Sequence, residues 1–167
     1  METAAIDRSL PKDALYRNLA ESLESLLAGE TDALANLANA AAHLAQALER
    51  INWCGFYLLR GGELVLGPFQ GKPACVRIPV GKGVCGTAAA RKQTLVVPDV
   101  KAFPGHIACD AASRSEIVVP ILEGGLLHGV LDLDSPEPSR FDDVDRGGLE
   151  GFVRTLVPLV NWPALIK

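Results

Sequence analysis

Two stretches near the N-terminus repeat apolar residues at helical spacing and predict two amphipathic helices. In the first, from Ser9 to Ala28, leucines recur every three or four residues, and Pro11 suits a first turn. In the second, Thr31 is a good N-cap residue for a helix that runs to about Leu48. Its predicted apolar stripe consists of Leu34, Leu37, Ala41, Leu44 and Leu48. We expect both helices to pack over a sheet or against a partner subunit; they are compatible with a homodimer without requiring one.

After Ile51 the apolar pattern changes from helical to extended, which predicts β-strands. The predicted strands are 51–59, 64–66, 75–79, 95–97, 116–122 and 126–134. A glycine-rich turn and short helix are predicted at 81–90, an irregular segment at 98–110, and a closing helix from about 141 to 158. Because hairpins and loops join most strands, we expect an α+β fold with a central, mostly antiparallel sheet.

Strand alternation predicts which side chains share a face of the sheet. Trp53 and Tyr57 fall on one face of the first strand, either as core residues or as the wall of a pocket. Cys54 points to the opposite face and is expected to fill the core. Asp132 and Asp134 alternate with leucines, so both carboxyl groups are expected on one face of the last strand.

Composition excludes several classes of function. The 167 residues carry a net charge of −4, only 5% are aromatic, and no basic cluster is present, which argues against nucleic acid and anionic membranes as partners. We see no signal sequence or membrane-spanning apolar run and expect a cytoplasmic protein, in which disulfides are transient. The four cysteines form no C-x-x-C pair, so no structural zinc site is expected from spacing, although a cluster assembled in three dimensions stays open.

Cys109 lies in a small, polar stretch just before the apolar strand at 116–122. A partly exposed thiol in such a loop can ionise and attack, unlike a buried one. The carboxyl groups of Glu116, Asp132 and Asp134, where they lie near Cys109, raise the pKa of its thiol, so a cation or a proton transfer to these carboxyls has to compensate. Arg114 and His106 are the candidate cations.

Seven segments carry a resemblance to known proteins. Residues 115–120 (SEIVVP), 129–135 (GVLDLDS) and 141–145 (FDDVD) resemble the closing half of a GAF domain. The segments WCGFYLL (53–59), LGPFQGK (66–72), GKGVCGT (81–87) and GHIACD (105–110) resemble the free methionine-(R)-sulfoxide reductases, an enzyme family with the GAF fold. The match covers roughly residues 12–160. It implies a single GAF domain over 1–167, with a helical part at about 9–50 and a sheet with the active site at about 51–160.

The resemblance implies a thiol-based reduction of free L-methionine-(R)-sulfoxide to methionine. Cys109 matches the family nucleophile, which becomes a sulfenic acid. Cys75 matches the cysteine that resolves it as an intramolecular disulfide, and Cys85 matches a third cysteine with an auxiliary or alternative resolving role. Thioredoxin, supplied with electrons from NADPH, then restores the thiols. No bound cofactor and no metal are implied.

The resemblance also implies a set of substrate contacts. Glu116, Asp132 and Asp134 match active-site acids, while Trp53 and Tyr57 match positions in the pocket wall. This agrees with the chemistry, because a sulfoxide oxygen leaves only when an acid protonates it, and crowded carboxyls retain a proton near neutral pH. The other carboxylates suit the substrate ammonium group. Backbone N–H groups of the glycine-rich turn, which contains Gly83, Val84 and Cys85, suit its carboxylate.

Two positions depart from the family pattern. Two other functions are alternatives to the reductase. Cys54 replaces an expected apolar residue, and Pro73 stiffens the segment before Cys75. The main alternative is a non-catalytic GAF sensor that binds a small ligand or uses Cys109 as a redox switch. A reductase of protein-bound methionine sulfoxide is the third hypothesis.

Overall fold

The computed structural model describes residues 6–105, 107 and 111–165. Within these ranges the chain forms four α-helices and six β-strands. The helices are α1 (Lys12–Leu27), α2 (Ala33–Ala47), α3 (Gly83–Arg91) and α4 (Asp143–Leu156). The strands are β1 (Trp53–Arg60), β2 (Glu63–Gly71), β3 (Arg77–Pro79), β4 (Leu95–Val97), β5 (Ser115–Glu123) and β6 (Leu126–Ser135).

The six strands form one sheet in the order β3-β2-β1-β6-β5-β4, and every pairing is antiparallel. This confirms the predicted α+β fold. Two hairpins, β1–β2 and β5–β6, are joined through the pairing of β1 with β6 at the centre of the sheet. Residues far apart in sequence therefore meet on neighbouring strands.

Helices α1, α2 and α4 build the apolar core on one face of the sheet. Cys54 and Phe56 point into this core, as alternation along β1 predicts. The predicted stripe of α2 is wrong at Leu34, which is 57% exposed. The predicted cap is also wrong, because the side chain of Asp32, not that of Thr31, accepts a hydrogen bond from the N–H of Ala35 where the helix begins. Starting at this cap, α2 packs through a face that includes Ala33 and excludes Leu34.

A buried aspartate joins α1 to the start of α4. Asp145 is fully buried and accepts hydrogen bonds from Tyr16 Oη at 2.8 Å and from Arg140 Nη1 at 3.1 and 3.2 Å. Lys12 Nζ lies 2.5 Å from its second oxygen, and the N–H of Asp142 completes a capping box. After Leu156 the chain continues as a 3₁₀ turn that contains Pro158, which agrees with the predicted end of the helix.

The opposite face of the sheet carries α3 and a second apolar cluster. Trp53 and Tyr57 belong to this cluster, so they lie on the same face, as predicted. They are almost completely buried and also line a cavity, which places them in the core and in a pocket wall at once. Across the described parts of the chain, none of the helices combines the length and apolar character needed to cross a bilayer.

Candidate active site

Strand register brings the three predicted acids together under α3. Glu116 on β5 pairs directly with Asp134 on β6, and Asp134 pairs on its other side with Trp53. Asp132 lies two residues earlier on β6 and therefore on the same face. Glu116 and Asp132 are each only 5% exposed. The sheet thus holds two buried carboxyl groups and a half-buried third side by side.

The acids line a cavity between the sheet and α3. Its other walls come from α3, from the segment around residue 74 and from the loops before β5. The lining residues are Trp53, Tyr57, Pro73, Ala74, Ile78, Gly83, Val84, Cys85, Ile107, Ser113, Glu116, Asp132 and Asp134. The described lining contains three acids and no basic side chain. A ligand that presents a cation on one side and an apolar group on the other suits this composition.

Cys85, in the first turn of α3, faces the acids. Its thiol donates to Glu116 Oε1 at a distance of 3.8 Å, within the range for a sulfur donor. One oxygen each of Glu116 and Asp132 and the sulfur of Cys85 all lie within 4.8 Å of one another. The glycine-rich turn therefore contributes a thiol to the acid cluster as well as backbone N–H groups.

Burial raises the pKa values of Glu116, Asp132 and Cys85. For Glu116, burial and then the negative charges of Asp132 and Asp134 raise the pKa well above the ordinary value. Burial and the charge of Asp134 have the same effect on the pKa of Asp132. Burial, followed by the charges of Asp132 and Glu116, also raises the pKa of the Cys85 thiol. Glu116 and Asp132 therefore keep their protons to a higher pH than exposed carboxyls do, and the thiol of Cys85 resists ionisation.

The aromatic wall is tied to the segment that carries Cys75. Tyr57 Oη donates a 2.9 Å hydrogen bond to the carbonyl oxygen of Cys75, and Trp53 Nε1 donates to the carbonyl of Lys72 at 3.2 Å. The rings of Trp53 and Tyr57 stack at 5.8 Å, and Phe69 stacks on Trp53 at 5.3 Å. Burial raises the pKa of Tyr57, which keeps its hydroxyl protonated as a donor. Tyr57 thereby holds the backbone of Cys75, and Trp53 holds that of Lys72 three residues earlier.

The start of α3 faces the cavity because two glycines allow a tight entry. Gly83 has a φ of +60°, which L-residues with side chains rarely adopt. A Cβ at Gly86 would lie 2.3 Å from the carbonyl oxygen of Pro79, so only glycine fits there. The first N–H groups of a helix have no partner within the helix and attract anions. Gly83, Val84 and Cys85 line the cavity at this helix start, and their binding of a carboxylate stays a prediction.

The cysteines divide into distinct environments. Cys75 is half-buried and disulfide-bonded, whereas Cys54 and Cys85 are free thiols. Cys54 is buried on the helix face of the sheet, where burial raises its pKa, so it is an inert core residue, as predicted. The predicted nucleophile, Cys109, lies outside the described residues.

The cation proposed to assist Cys109 stays a prediction. His106 lies outside the described residues. Arg114 pairs with Asp99, with 3.4 Å between Nη2 and Oδ2, and does not line the described cavity wall. The geometry therefore gives Arg114 a structural partner rather than a place beside the acids.

Sequence reasoning missed several residues of the site. Gly55 is the most informative, because a Cβ there would lie 2.3 Å from Phe69 Cβ and 2.8 Å from Trp53 Cη2. The missing side chain lets the indole lie over the strand opposite Asp132. Alternation along β3 could have found Ile78. No local signal marks Ser113, since its place in the wall depends on the path of the loop.

Comparison with known proteins places this arrangement in a class. The sequence model of the GAF domain matches residues 17–157, so the antiparallel sheet and its covered cavity are those of a GAF domain. The free methionine-R-sulfoxide reductase of Escherichia coli (strain K12) is 56% identical over 145 residues, which cover 87% of this chain and 88% of that protein.

Two solved structures are similar to this chain in sequence and in fold. The X-ray structure of free methionine-R-sulfoxide reductase from Neisseria meningitidis in complex with its substrate is 46% identical, with a TM-score of 0.88 over 99% of this chain and 97% of that chain. The reduced form of fRMsr of Staphylococcus aureus is 52% identical, with a TM-score of 0.84 over 87% and 94%. The chain belongs to the free methionine-(R)-sulfoxide reductase family of GAF-domain proteins.

Proposed function

We propose that this protein reduces free L-methionine-(R)-sulfoxide to L-methionine. The observation that carries the proposal is the cavity itself, in which buried, proton-holding carboxyls face an aromatic wall and a helix N-terminus. The relatives named above, which act on free methionine-R-sulfoxide according to their names, support the same substrate. A cavity with these three walls matches the polar, apolar and charged parts of one small amino acid.

In the proposed reaction, the Cys109 thiolate attacks the sulfoxide sulfur. A proton held by Glu116 or Asp132 passes to the sulfoxide oxygen, and the resulting hydroxyl group transfers from the methionine sulfur to the sulfur of Cys109. The original sulfur–oxygen bond and the sulfur–sulfur bond made in the attack both break, so methionine leaves and Cys109 becomes a sulfenic acid. The Cys75 thiol then attacks the sulfenic sulfur, which forms a disulfide and releases water. A dithiol reductant, which we propose is thioredoxin, reduces the disulfide, so the thiols supply both electrons and no bound cofactor is needed.

We assign the resolving step to Cys75 rather than to Cys85. Cys75 is disulfide-bonded in this structure while Cys85 is free, which supports this assignment. The raised pKa of the Cys85 thiol also makes it a poor nucleophile. Its hydrogen bond to Glu116 suits a residue that orients the acid instead.

The substrate is proposed to lie across the cavity. Its ammonium group contacts the carboxyl cluster near Asp134. Its carboxylate accepts hydrogen bonds from the backbone N–H groups at the start of α3. Its methyl and side-chain carbons pack on Trp53 and Tyr57. A free amino acid satisfies both charged contacts, whereas a residue within a peptide has neither charge.

Turnover with four substrates tests the proposal. We expect consumption of the free R form and at least about a hundredfold lower kcat/KM for the free S form and for either diastereomer in a peptide, because buried polar partners are left unpaired. Methionine released is measured by chromatography with dithiothreitol as reductant. Binding of a small ligand without turnover would favour a GAF sensor, and equal activity on peptides would favour a protein reductase.

The buried carboxyls are expected to lower the stability of the fold at alkaline pH while they support catalysis. Asp132→Asn is expected to lower kcat/KM about a hundredfold or more, because it disrupts the proton-holding pair. The wild-type carboxyl has a folded pKa above its unfolded value near 4, so its contribution to stability is full below that pH and is lost as pH rises through the folded pKa. Asp132→Asn should therefore unfold at a higher temperature than the wild type at pH 8.

Thermal unfolding followed by circular dichroism at pH 4 and pH 8, in buffers with EDTA, measures this effect. Asp143→Asn, which changes an exposed aspartate, is the control and should alter neither kcat/KM nor the unfolding temperature. If Asp132→Asn is less stable than the wild type at pH 8, the carboxyl is ionised and paired, and its role as a proton store is wrong.

A further inference from the structure

We propose that the Cys85–Glu116–Asp132 cluster is also a binding site for Zn²⁺, which competes with the substrate. Metal binding goes beyond the proposed reductase function and does not depend on it; only the inhibition that follows from binding rests on that function. No resident cofactor is implied, since the ion would occupy the site in place of the substrate.

The geometry of the three side chains is close to that of a zinc site. Ligand atoms around a tetrahedral zinc ion, with Zn–S of about 2.3 Å and Zn–O of about 2.0 Å, are separated by roughly 3.5 Å. The sulfur of Cys85 lies 3.8 Å from Glu116 Oε1, and all three ligand atoms fall within 4.8 Å of one another. Side-chain rotations alone can close the remaining gap, because two ligands lie on neighbouring strands and the third in the first turn of α3.

A second observation points to a ligand at this place. Asp132 Oδ1 is buried and has no hydrogen-bond partner among the described residues, although Asp132 lines the cavity. A buried carboxyl oxygen without a partner costs free energy, which an incoming ion or donor relieves. Asp132 therefore has a carboxyl oxygen with unused acceptor capacity in the wall of the cavity that Cys85 and Glu116 also line.

The ligand types select zinc over harder ions. Ca²⁺ and Mg²⁺ prefer six or more oxygen ligands, whereas one thiolate and two carboxylates suit a borderline-soft ion with four ligands. Coordination displaces the thiol proton and any proton held by the two carboxyl groups to solvent, and a water molecule completes the four ligands. Zinc at this position would occupy the carboxyl groups that are proposed to protonate the sulfoxide, so substrate and ion exclude each other.

Cobalt spectroscopy tests the site without any turnover. We use a Cys75→Ser/Cys109→Ser protein in a phosphine reductant, which leaves Cys54 and Cys85 as the thiols. Co²⁺ is expected to give a near-ultraviolet sulfur-to-metal charge-transfer absorption that saturates at one equivalent, and Zn²⁺ should displace it. Adding Cys85→Ser should abolish the absorption, and adding Asp132→Asn should weaken the apparent affinity at least about tenfold.

Cys54→Ala on the same background is the matched control, because Cys54 is equally buried but lies on the other face of the sheet. It should leave the absorption and the affinity unchanged. Absorption that survives Cys85→Ser, that disappears in Cys54→Ala, or that never saturates would overturn the site; the last outcome indicates an adventitious ion only. Should Cys85→Ser fail to fold, the Asp132→Asn titration decides alone.

A kinetic measurement on the wild type separates this proposal from the proposed function. Zn²⁺ should raise the KM for free methionine-(R)-sulfoxide, and excess chelator should reverse the effect fully. If Co²⁺ binds as described but no sulfoxide is reduced, the metal site stands and the reductase function falls. If the sulfoxide is reduced at a rate that Zn²⁺ does not change, and Co²⁺ gives no saturable absorption, the reductase function stands and the metal site falls.

Discussion

Replacing Cys109 with serine is expected to abolish reduction of free methionine-(R)-sulfoxide with every reductant. A serine hydroxyl is a hard, weak nucleophile at neutral pH, and the mechanism gives no other thiol access to the sulfoxide sulfur. We expect a loss of at least about a thousandfold in kcat/KM. Cys75→Ser should behave differently, because it leaves the first step intact and removes the resolving thiol.

Rapid-quench measurements distinguish the two variants. Cys75→Ser should release close to one equivalent of methionine per protein in a burst and then turn over slowly with thioredoxin, whereas Cys109→Ser should give no burst. A dimedone adduct on Cys109, detected by mass spectrometry, should accumulate only in Cys75→Ser, since the sulfenic acid then persists.

Cys54→Ala serves as the control for the cysteine experiments, because the structure buries this thiol on the other face of the sheet. It should keep both the burst and the steady-state rate. A full burst in Cys109→Ser would show that another thiol is the nucleophile. A Cys75→Ser protein that recycles normally with thioredoxin would transfer the resolving role to Cys85.

The pattern of the sequence was sufficient where local periodicity decides the outcome. Alternation placed Asp132 and Asp134 on one face and separated Trp53 from Cys54, and the sheet confirms both. The pairing of Glu116 with Asp134 was harder to predict, because it depends on the register of β5 against β6. Alternation alone fixes the face of a residue, and only pairing fixes its neighbour.

Contacts between strands could not be predicted from the sequence for the same physical reason. Nothing around Gly55 in the sequence indicates that the ring of Trp53 lies over it, since the contact depends on how β1 and β2 pair. Leu34 was misplaced because apolar character was counted without knowing where α2 is capped. The role of Asp145 also escaped notice, because acidic residues at a helix start are usually exposed and favoured by the helix dipole.

Asp145→Ala is expected to lower the free energy of unfolding by about 3 to 5 kcal/mol, because it leaves a buried cation without its partner. The guanidinium of Arg140 is bound to both oxygens of Asp145 and is itself only 7% exposed. The hydroxyl of Tyr16 and the ammonium of Lys12 lose the same acceptor. Asp143→Ala, which removes an exposed carboxylate two residues away, should change the unfolding free energy by less than about 0.5 kcal/mol.

Urea unfolding of the two variants measures the difference, and a third variant separates charge from packing. In Asp145→Leu/Arg140→Met the buried charges are removed together, so most of the loss seen in Asp145→Ala should be recovered. Equal costs for Asp145→Ala and Asp143→Ala would mean that the buried contacts contribute little. This network lies on the helix side of the sheet and the carboxyl cluster lies on the other, so the folded fraction of Asp145→Ala should retain the kcat/KM of the wild type. Loss of Asp145 is therefore expected to lower stability and leave activity intact, whereas loss of the Asp132 carboxyl on the other face lowers activity and raises stability at pH 8.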